Sequence, residues 1–269
     1  MTVGVEVPVV KMHGARNAFI LIDERPARLS EYGKIAQKVC AFDGGLSGAD
    51  GLLVVRDAAG HAAEMRIFNA DGSEAEMCGN GIRCVALYLA ERGAPDSFTI
   101  ATAAGPIGVN IVSRDPFEAR VDIGPVSFPG SALEETAAAP GGPWKFYDVS
   151  VGNPHAVLFV DNVAPVDLAT LGVTLNWLER FPNGTNVHVV QIVDARAINV
   201  RHYERGVGLT EACGTGAVAS AAAAIAIRGV ESPVTVNVPG GTLRVEWAPG
   251  ETARLTGPAE TMFERTIVL

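Results

Sequence analysis

Apolar residues in this chain come mostly in short β-branched runs, broken by Gly, Pro, Asn and Asp. Such runs predict strands at Val9–Met12, Phe19–Asp23, Leu52–Arg56, Met65–Phe68, 98–102, 107–113 and Phe117–Ile123. A second series follows at Tyr147–Val151, Ala156–Val160, Val187–Val193 and Ile198–Tyr203, with further strands running to Leu255 and a last one at Thr266–Leu269. Helical spacing governs three stretches instead. In Leu29–Ala41 the apolar positions are Leu29, Tyr32, Ile35, Ala36 and Val39, with Ser30 as a candidate cap. Ile82–Arg92 and Ala217–Arg228 are each followed by glycine, the usual C-terminal stop. Val218–Ile227 is apolar nearly all round, which predicts burial on every side. The stretch from Ala156–Val160 to Val187 reads as a loop, and Gly44–Gly51 as a glycine-rich loop.

The order of these elements repeats. Ala62–Gly81 aligns without a gap on Ala197–Gly216, at an offset of 197 − 62 = 135. Phe98-Thr99-Ile100 matches Val234-Thr235-Val236, Ala119-Arg120-Val121 matches Ala253-Arg254-Leu255, and Gly14–Asp23 resembles Gly152–Asp161. An α+β fold of two duplicated, pseudo-symmetric domains is expected, each mainly an antiparallel sheet wrapped around a central helix. The predicted domains are 1–128, joined by a C-terminal strand at 264–269, and 129–263, with the Pro-, Gly- and Ser-rich stretch Pro125–Pro143 as a linker.

The repeat places chemistry at matched positions. Ala212-Cys213-Gly214-Thr215-Gly216 echoes Met77-Cys78-Gly79-Asn80-Gly81, and each opens a predicted helix. A helix N-terminus offers unpaired N–H groups and a partial positive charge, which favour a thiolate and can cradle a carboxylate. Two thiols flanking the α-carbon of a small acid could remove a proton from one face and return one to the other. Blander readings compete. A lone cysteine is more often a small buried hydrophobe, the role assigned to Cys40 and Cys84, and a lone Cys-Gly-x-Gly could be a phosphate nest. Neither copy has the third glycine of a dinucleotide fingerprint or the lysine of a P-loop, and Cys78 and Cys84 lack zinc-ligand spacing, so no metal is expected. The register of the two copies favours paired function.

Composition narrows the partners. With 269 residues and 48% hydrophobic content the chain can bury two cores. A net charge of −9 without any basic run argues against nucleic acid and anionic membranes. Four cysteines do not make a disulfide scaffold, no signal peptide is evident, and the longest apolar run is too short for a bilayer. A cytoplasmic enzyme acting on a small molecule is the expectation.

Read together, the motifs resemble the diaminopimelate epimerase family. They are Met12-His13-Gly14 with Asn17, Gly48–Gly51, Asn69–Ser73, Cys78–Gly81, Gly152-Asn153-Pro154-His155, Asn183–Asn186, Glu204–Gly208 and Ala212–Gly216. The resemblance implies a cofactor-independent homodimeric epimerase of lysine and peptidoglycan precursor synthesis, converting LL- to meso-diaminopimelate. It implies Cys78 and Cys213 as the acid/base pair, with the backbone of Gly79, Asn80, Gly214 and Thr215 holding the reacting carboxylate. It further implies that Glu204 accepts the α-ammonium group and with His155 tunes the thiols. Asn17, Asn69, Asn153, Asn186 and Arg205 would read the substrate and its distant end. Three places depart from the family pattern: Arg16 and Ala18 beside Asn17, the segment Ala41–Ser47, and Phe263 where a tyrosine is common at the dimer contact. Rival readings are a racemase for another amino acid such as histidine, a cysteine hydrolase using Cys213 with His155, and a non-catalytic binder of small acids. The hydrolase leaves Cys78 unexplained. Pyridoxal phosphate chemistry lacks a recognisable lysine setting.

Overall fold

In a computed structural model, residues 5–26, 29–41, 46, 48–130 and 134–269 are described. The chain divides into two compact units, Met1–Val121 with Gly257–Leu269, and Asp122–Thr256. Both boundaries lie seven residues before the expected ones (128 − 121 and 263 − 256).

The first unit holds strands β1 (Glu6–Gly14), β2 (Asn17–Asp23), β3 (Gly51–Arg56), β4 (Ala63–Asn69), β5 (Glu74–Ala75), β6 (Ser97–Thr102), β7 (Gly105–Arg114) and the start of β8 (Phe117–Pro125), with helices α1 (Tyr32–Cys40) and α2 (Gly79–Ala90). In the second lie β9 (Glu135–Ala139), β10 (Gly142–Ser150), β11 (Pro154–Phe159), α3 (Leu168–Asn176), β12 (Asn186–Asp194), β13 (Ala197–Glu204), β14 (Gly208–Thr210), α4 (Gly214–Arg228), β15 (Val234–Val238), β16 (Gly241–Glu246) and most of β17 (Thr252–Pro258). Strand β18 (Glu260–Val268) belongs to the first unit and pairs antiparallel with β1, Glu6 opposite Val268.

The duplication is visible strand by strand. The first unit's ladder runs β18-β1-β2-β3-β4-β6-β7-β8, and the second's runs β9-β10-β11-β12-β13-β15-β16-β17. Both follow the same sequence of antiparallel and parallel pairings, the parallel ones being β2–β3 and β4–β6, then β11–β12 and β13–β15. A parallel neighbour needs a crossover. Helices α1 and α3 supply it between β2 and β3 and between β11 and β12; α2 and α4 supply it between β4 and β6 and between β13 and β15.

The predicted linker Pro125–Pro143 contains β9 and the start of β10, because the small residues Thr136–Ala139 can pair antiparallel with β10; residues 131–133 lie outside the description. The predicted loop after β11 contains α3, whose N-cap Asp167 accepts a hydrogen bond from the Thr170 N–H. Its apolar face (Leu168, Leu171, Leu175) packs into the core with Phe146, Phe181 and Val189. Helix α1 starts at Tyr32 with Glu31 as N-cap, not Ser30, and no side chain caps it. Gly48–Gly51 is described, but residues 44, 45 and 47 of the predicted glycine loop are not.

Helix α2 is buried throughout and packs against β1–β4 and β18. Helix α4 packs against β10–β13, β15 and β16, and Ala217–Ala224 is buried without interruption. Alanine lets the surrounding strands close on a helix from all sides at little entropic cost. It ends at Gly229 with φ 71°, a left-handed C-cap. Helix α2 ends earlier than expected, at Ala90, and Gly93 closes the following turn.

Candidate active site

Both helices begin three residues before their apolar runs, because each cysteine is itself the N-cap. Cys78 and Cys213 have extended backbones, and their Sγ atoms accept from the N–H of Gly81 at 3.5 Å and of Gly216 at 3.4 Å. The sulfur takes the place of the usual Ser or Asp cap oxygen. Gly79 and Asn80, and Gly214 and Thr215, form the rest of each first turn, whose N–H groups have no carbonyl partner within a helix. The second glycine of each motif lies close against a neighbouring side chain. A Cβ on Gly81 would meet Leu53 Cδ2 at 2.9 Å, and one on Gly216 would meet His188 Cε1 at 2.5 Å and Cys213 Sγ at 3.1 Å.

Around Cys78 the first unit builds a polar network that includes two residues absent from the expected set. Arg83, fully buried, donates to Pro258 O (3.2 Å), Gly79 O (3.1 Å) and Asn80 Oδ1 (2.8 Å). Asn80 Nδ2 donates to Asn17 Oδ1, and Asn17 Nδ2 donates to Asp50 Oδ2, which also receives the Ala18 N–H. Asn17 Oδ1 and one Nδ2–H are therefore engaged, and Asn17 braces the α2 start. The β1–β2 hairpin that carries it turns through Ala15 and Arg16, both at positive φ (51° and 63°). Buried Lys11 donates to Leu46 O and Gly48 O, each at 2.7 Å, tying the described part of the glycine loop to β1. Asn69 ends β4 with its Nδ2 donating to Ser73 Oγ.

The second unit assembles a different set around Cys213. Glu204 stands at the end of β13, at the repeat position of Asn69 (204 − 69 = 135). The buried Cys213 thiol hydrogen-bonds to the Glu204 carboxylate. Burial and that carboxylate push the thiol well above its ordinary pKa, and outweigh the lowering by the Gly216 N–H and Thr215. This reverses the expectation that the helix end alone would favour the thiolate: desolvation and a neighbouring negative charge beat the dipole. Cys213 is a thiol here. Asn186 Nδ2 donates to Pro154 O and its Oδ1 accepts from the Arg205 N–H, so its side chain too is engaged locally. Arg205 is exposed, with one guanidinium N–H on Asn183 O.

His155 does not figure among the groups acting on the Cys213 thiol. It is fully buried, bonded to Asn153 Oδ1 (2.9 Å) and to His188 Nε2 (2.8 Å), and His188 Nδ1 is 2.8 Å from His202 Nδ1. Burial lowers all three rings, His155 and His202 to about 3, so the chain of imidazoles is neutral near pH 7. The remaining thiols, Cys40 and Cys84, are buried and pushed up to about 12, as suits packing groups. Among the described residues no set of three His, Cys, Asp or Glu side chains could hold a metal ion, and no helix is long and apolar enough to cross a membrane.

Against this geometry, the family model described as diaminopimelate epimerase matches residues 9–129 and 147–262. The chain belongs to the diaminopimelate epimerase family. It is 38% identical over 277 residues to a diaminopimelate epimerase from Desulfitobacterium hafniense, covering 97% of this chain and 98% of that one. A second relative, from Carboxydothermus hydrogenoformans, is 39% identical over 269 residues, with 95% and 97% coverage. As a diaminopimelate epimerase family member the protein is an isomerase, an amino-acid epimerase. The fold is shared more widely. A phenazine biosynthesis protein from Bacillus anthracis superposes with TM-score 0.76 at 17% identity, covering 98% of this chain and 100% of that one. A hydroxyproline epimerase from Agrobacterium vitis, solved with trans-4-hydroxy-L-proline, gives 0.73 at 17%, with 98% and 93% coverage.

The sequence reading missed Asp50, Arg83, His188 and His202. The repeat held a signal for three of them. Arg83 corresponds to Val218 (218 − 83 = 135), His188 to Leu53 (188 − 53 = 135) and His202 to Ile67 (202 − 67 = 135). Where one copy packs an apolar side chain and the other a polar one, packing alone does not demand the polar choice.

Proposed function

We propose that the protein interconverts LL- and meso-diaminopimelate without pyridoxal phosphate, Cys78 and Cys213 acting as the two acid/base groups. One observation carries the reading: both halves present a cysteine sulfur as the N-cap of their central helix, in the same register. A two-base inversion requires one thiol on each face of the α-carbon, and duplicated helix ends are a means of supplying matched thiols. The thiolate takes the α-proton, the opposite thiol donates its own to the other face, and the two cysteines exchange protonation states over the turnover. First-turn amides of Gly79 and Asn80, and of Gly214 and Thr215, stabilise charge spreading onto the α-carboxylate. Glu204 accepts the α-ammonium, which offsets the negative charge now raising Cys213 and brings that thiol closer to exchange. Arg205, exposed and with guanidinium N–H groups to spare, binds the distal carboxylate, Asn153 and Asn69 assist it, and Asn17 and Asn186 hold the supporting framework. His155 acts at one remove from Cys213, holding Asn153 and His188, the ring that lies against Gly216. The enzyme works in the cytoplasm as a homodimer, in the supply of lysine and peptidoglycan precursors.

The test is incubation with LL-diaminopimelate in D2O under reducing conditions. Wild type is expected to invert and incorporate α-deuterium; Cys78→Ala and Cys213→Ala should each lose more than about a thousandfold in rate. Retained inversion in either variant, or wild-type turnover of histidine in preference to diaminopimelate, overturns the proposal.

A further inference from the structure

Three imidazoles stand in line in the second unit, and each neutral imidazole has one donor and one acceptor. The series is Asn153–His155–His188–His202, with contacts of 2.9, 2.8 and 2.8 Å. Only two proton arrangements satisfy all three contacts. In one, His202 Nδ1–H donates to His188 Nδ1, His188 Nε2–H donates to His155 Nδ1, and His155 Nε2–H donates to the Asn153 oxygen. In the other every proton is reversed, and the Asn153 NH2 donates to His155.

The far end decides between them. His202 Nε2 is buried and has no hydrogen-bond partner. The first arrangement leaves a lone pair there, and the second leaves an N–H. A buried N–H without an acceptor is the rarer and costlier defect. The ring centroids are 5.1 and 4.9 Å apart and the rings are at most 1% exposed, so solvent does not relieve that end. The first unit has Leu53 and Ile67 at the positions of His188 and His202, so the scaffold does not require imidazoles there.

We propose that His188 and His202 are positioning residues: their one-way hydrogen-bond chain turns the Asn153 carboxamide so that its oxygen faces His155 and its NH2 is presented outward, selecting a carboxylate on the ligand. Half-buried Asn153 spends its oxygen on His155, and its Nδ2 has no recorded hydrogen bond. A ligand group meeting that NH2 must be an acceptor; an ammonium there would find no lone pair. The inference rests on the epimerase reading for the identity of the ligand, but the proton arrangement does not.

The test has two arms. Nitrogen-15 NMR of histidine-labelled wild type at pH 7.5 should show Nε2–H tautomers for His155 and His188 and an Nδ1–H tautomer for His202. An Nδ1–H tautomer at His155 overturns the proposal. The second arm reverses the chain. His202→Asp supplies an acceptor that draws a proton to His188 Nδ1, flipping each link up to Asn153. KM for LL-diaminopimelate should then rise about tenfold while kcat changes less than about threefold. His202→Gln, whose amide can still donate to His188, should keep the wild-type KM. Equal KM in His202→Asp and wild type overturns the proposal; should His202→Asp fail to fold, the wild-type tautomers decide. An enzyme inactive on diaminopimelate would sink the functional reading and leave the tautomer arm intact.

Discussion

Acid should unfold this protein through its second unit, and the buried histidines set the size of the effect. In the fold His155 and His202 stay neutral down to about pH 3, and burial lowers His188 in the same direction. Unfolded, each ring recovers an ordinary pKa of about 6.5. A depressed folded-state pKa gives stability that is complete above the unfolded value and drains away as pH falls below it. At pH 5 a ring that is charged when unfolded but neutral when folded costs about 2 kcal/mol, since 1.5 pH units at about 1.4 kcal/mol each separate it from 6.5. His155 and His202 together therefore remove about 4 kcal/mol between pH 7.5 and pH 5, before His188 adds its share. That is comparable with the whole stability of an ordinary domain, about 5–15 kcal/mol. Carboxylates titrate over part of the same range, so the informative quantity is a difference. His188→Leu with His202→Ile installs the pair the first unit already uses, and should lose at least about 2 kcal/mol less than wild type over that interval. Urea titrations at pH 7.5 and 5.0 measure it. Parallel losses in the two proteins would refute the argument, for they would mean the rings protonate without unfolding.

Arg83→Met tests the brace behind Cys78. Three hydrogen bonds from a charged donor are worth about 1.5–3 kcal/mol each, and removing the buried charge returns several kcal/mol of desolvation. A net loss of about 2–4 kcal/mol is expected by urea titration, and a variant as stable as wild type would show that desolvation dominates. The two helix-start glycines should differ in tolerance. Gly216→Ala drives a Cβ onto the rigid His188 ring, for about 2–3 kcal/mol lost, whereas Gly81→Ala meets the movable end of Leu53 and should cost less than about 1 kcal/mol. Equal thermal shifts in the two alanine variants would contradict the contacts described.

Much of the architecture was legible because duplication and hydrophobic period are both carried by local residue order. Apart from the two-residue β5, the strands from Phe19 to Ile123 and the helix from Ala217 were in plain view for that reason. Helix α3 was not, since Leu168–Asn176 is short and uniformly mild in polarity, though the place of α1 in the repeat pointed to it. Strand β9 was hidden by a Pro- and Ala-rich composition that pairs only because a neighbour is there. Cysteines and glycines announced the two helix starts, because few residue types can serve there. The proton state of Cys213 did not follow from its place at a helix end. It depends on burial and on Glu204, and so on the folded strand β13 that brings that carboxylate to the thiol. Asn17 and Asn186 show the same limit: an asparagine in a motif does not reveal which way its amide is already committed.

The outer strand of the first unit, β18, is encoded after every residue of the second, whereas β9 precedes the rest of its own ladder. On a translating ribosome the later half can thus close its sheet while the earlier half still waits with the β1 edge uncovered. Chaperone capture, or mispairing with another nascent chain, should fall on the half that is synthesised first.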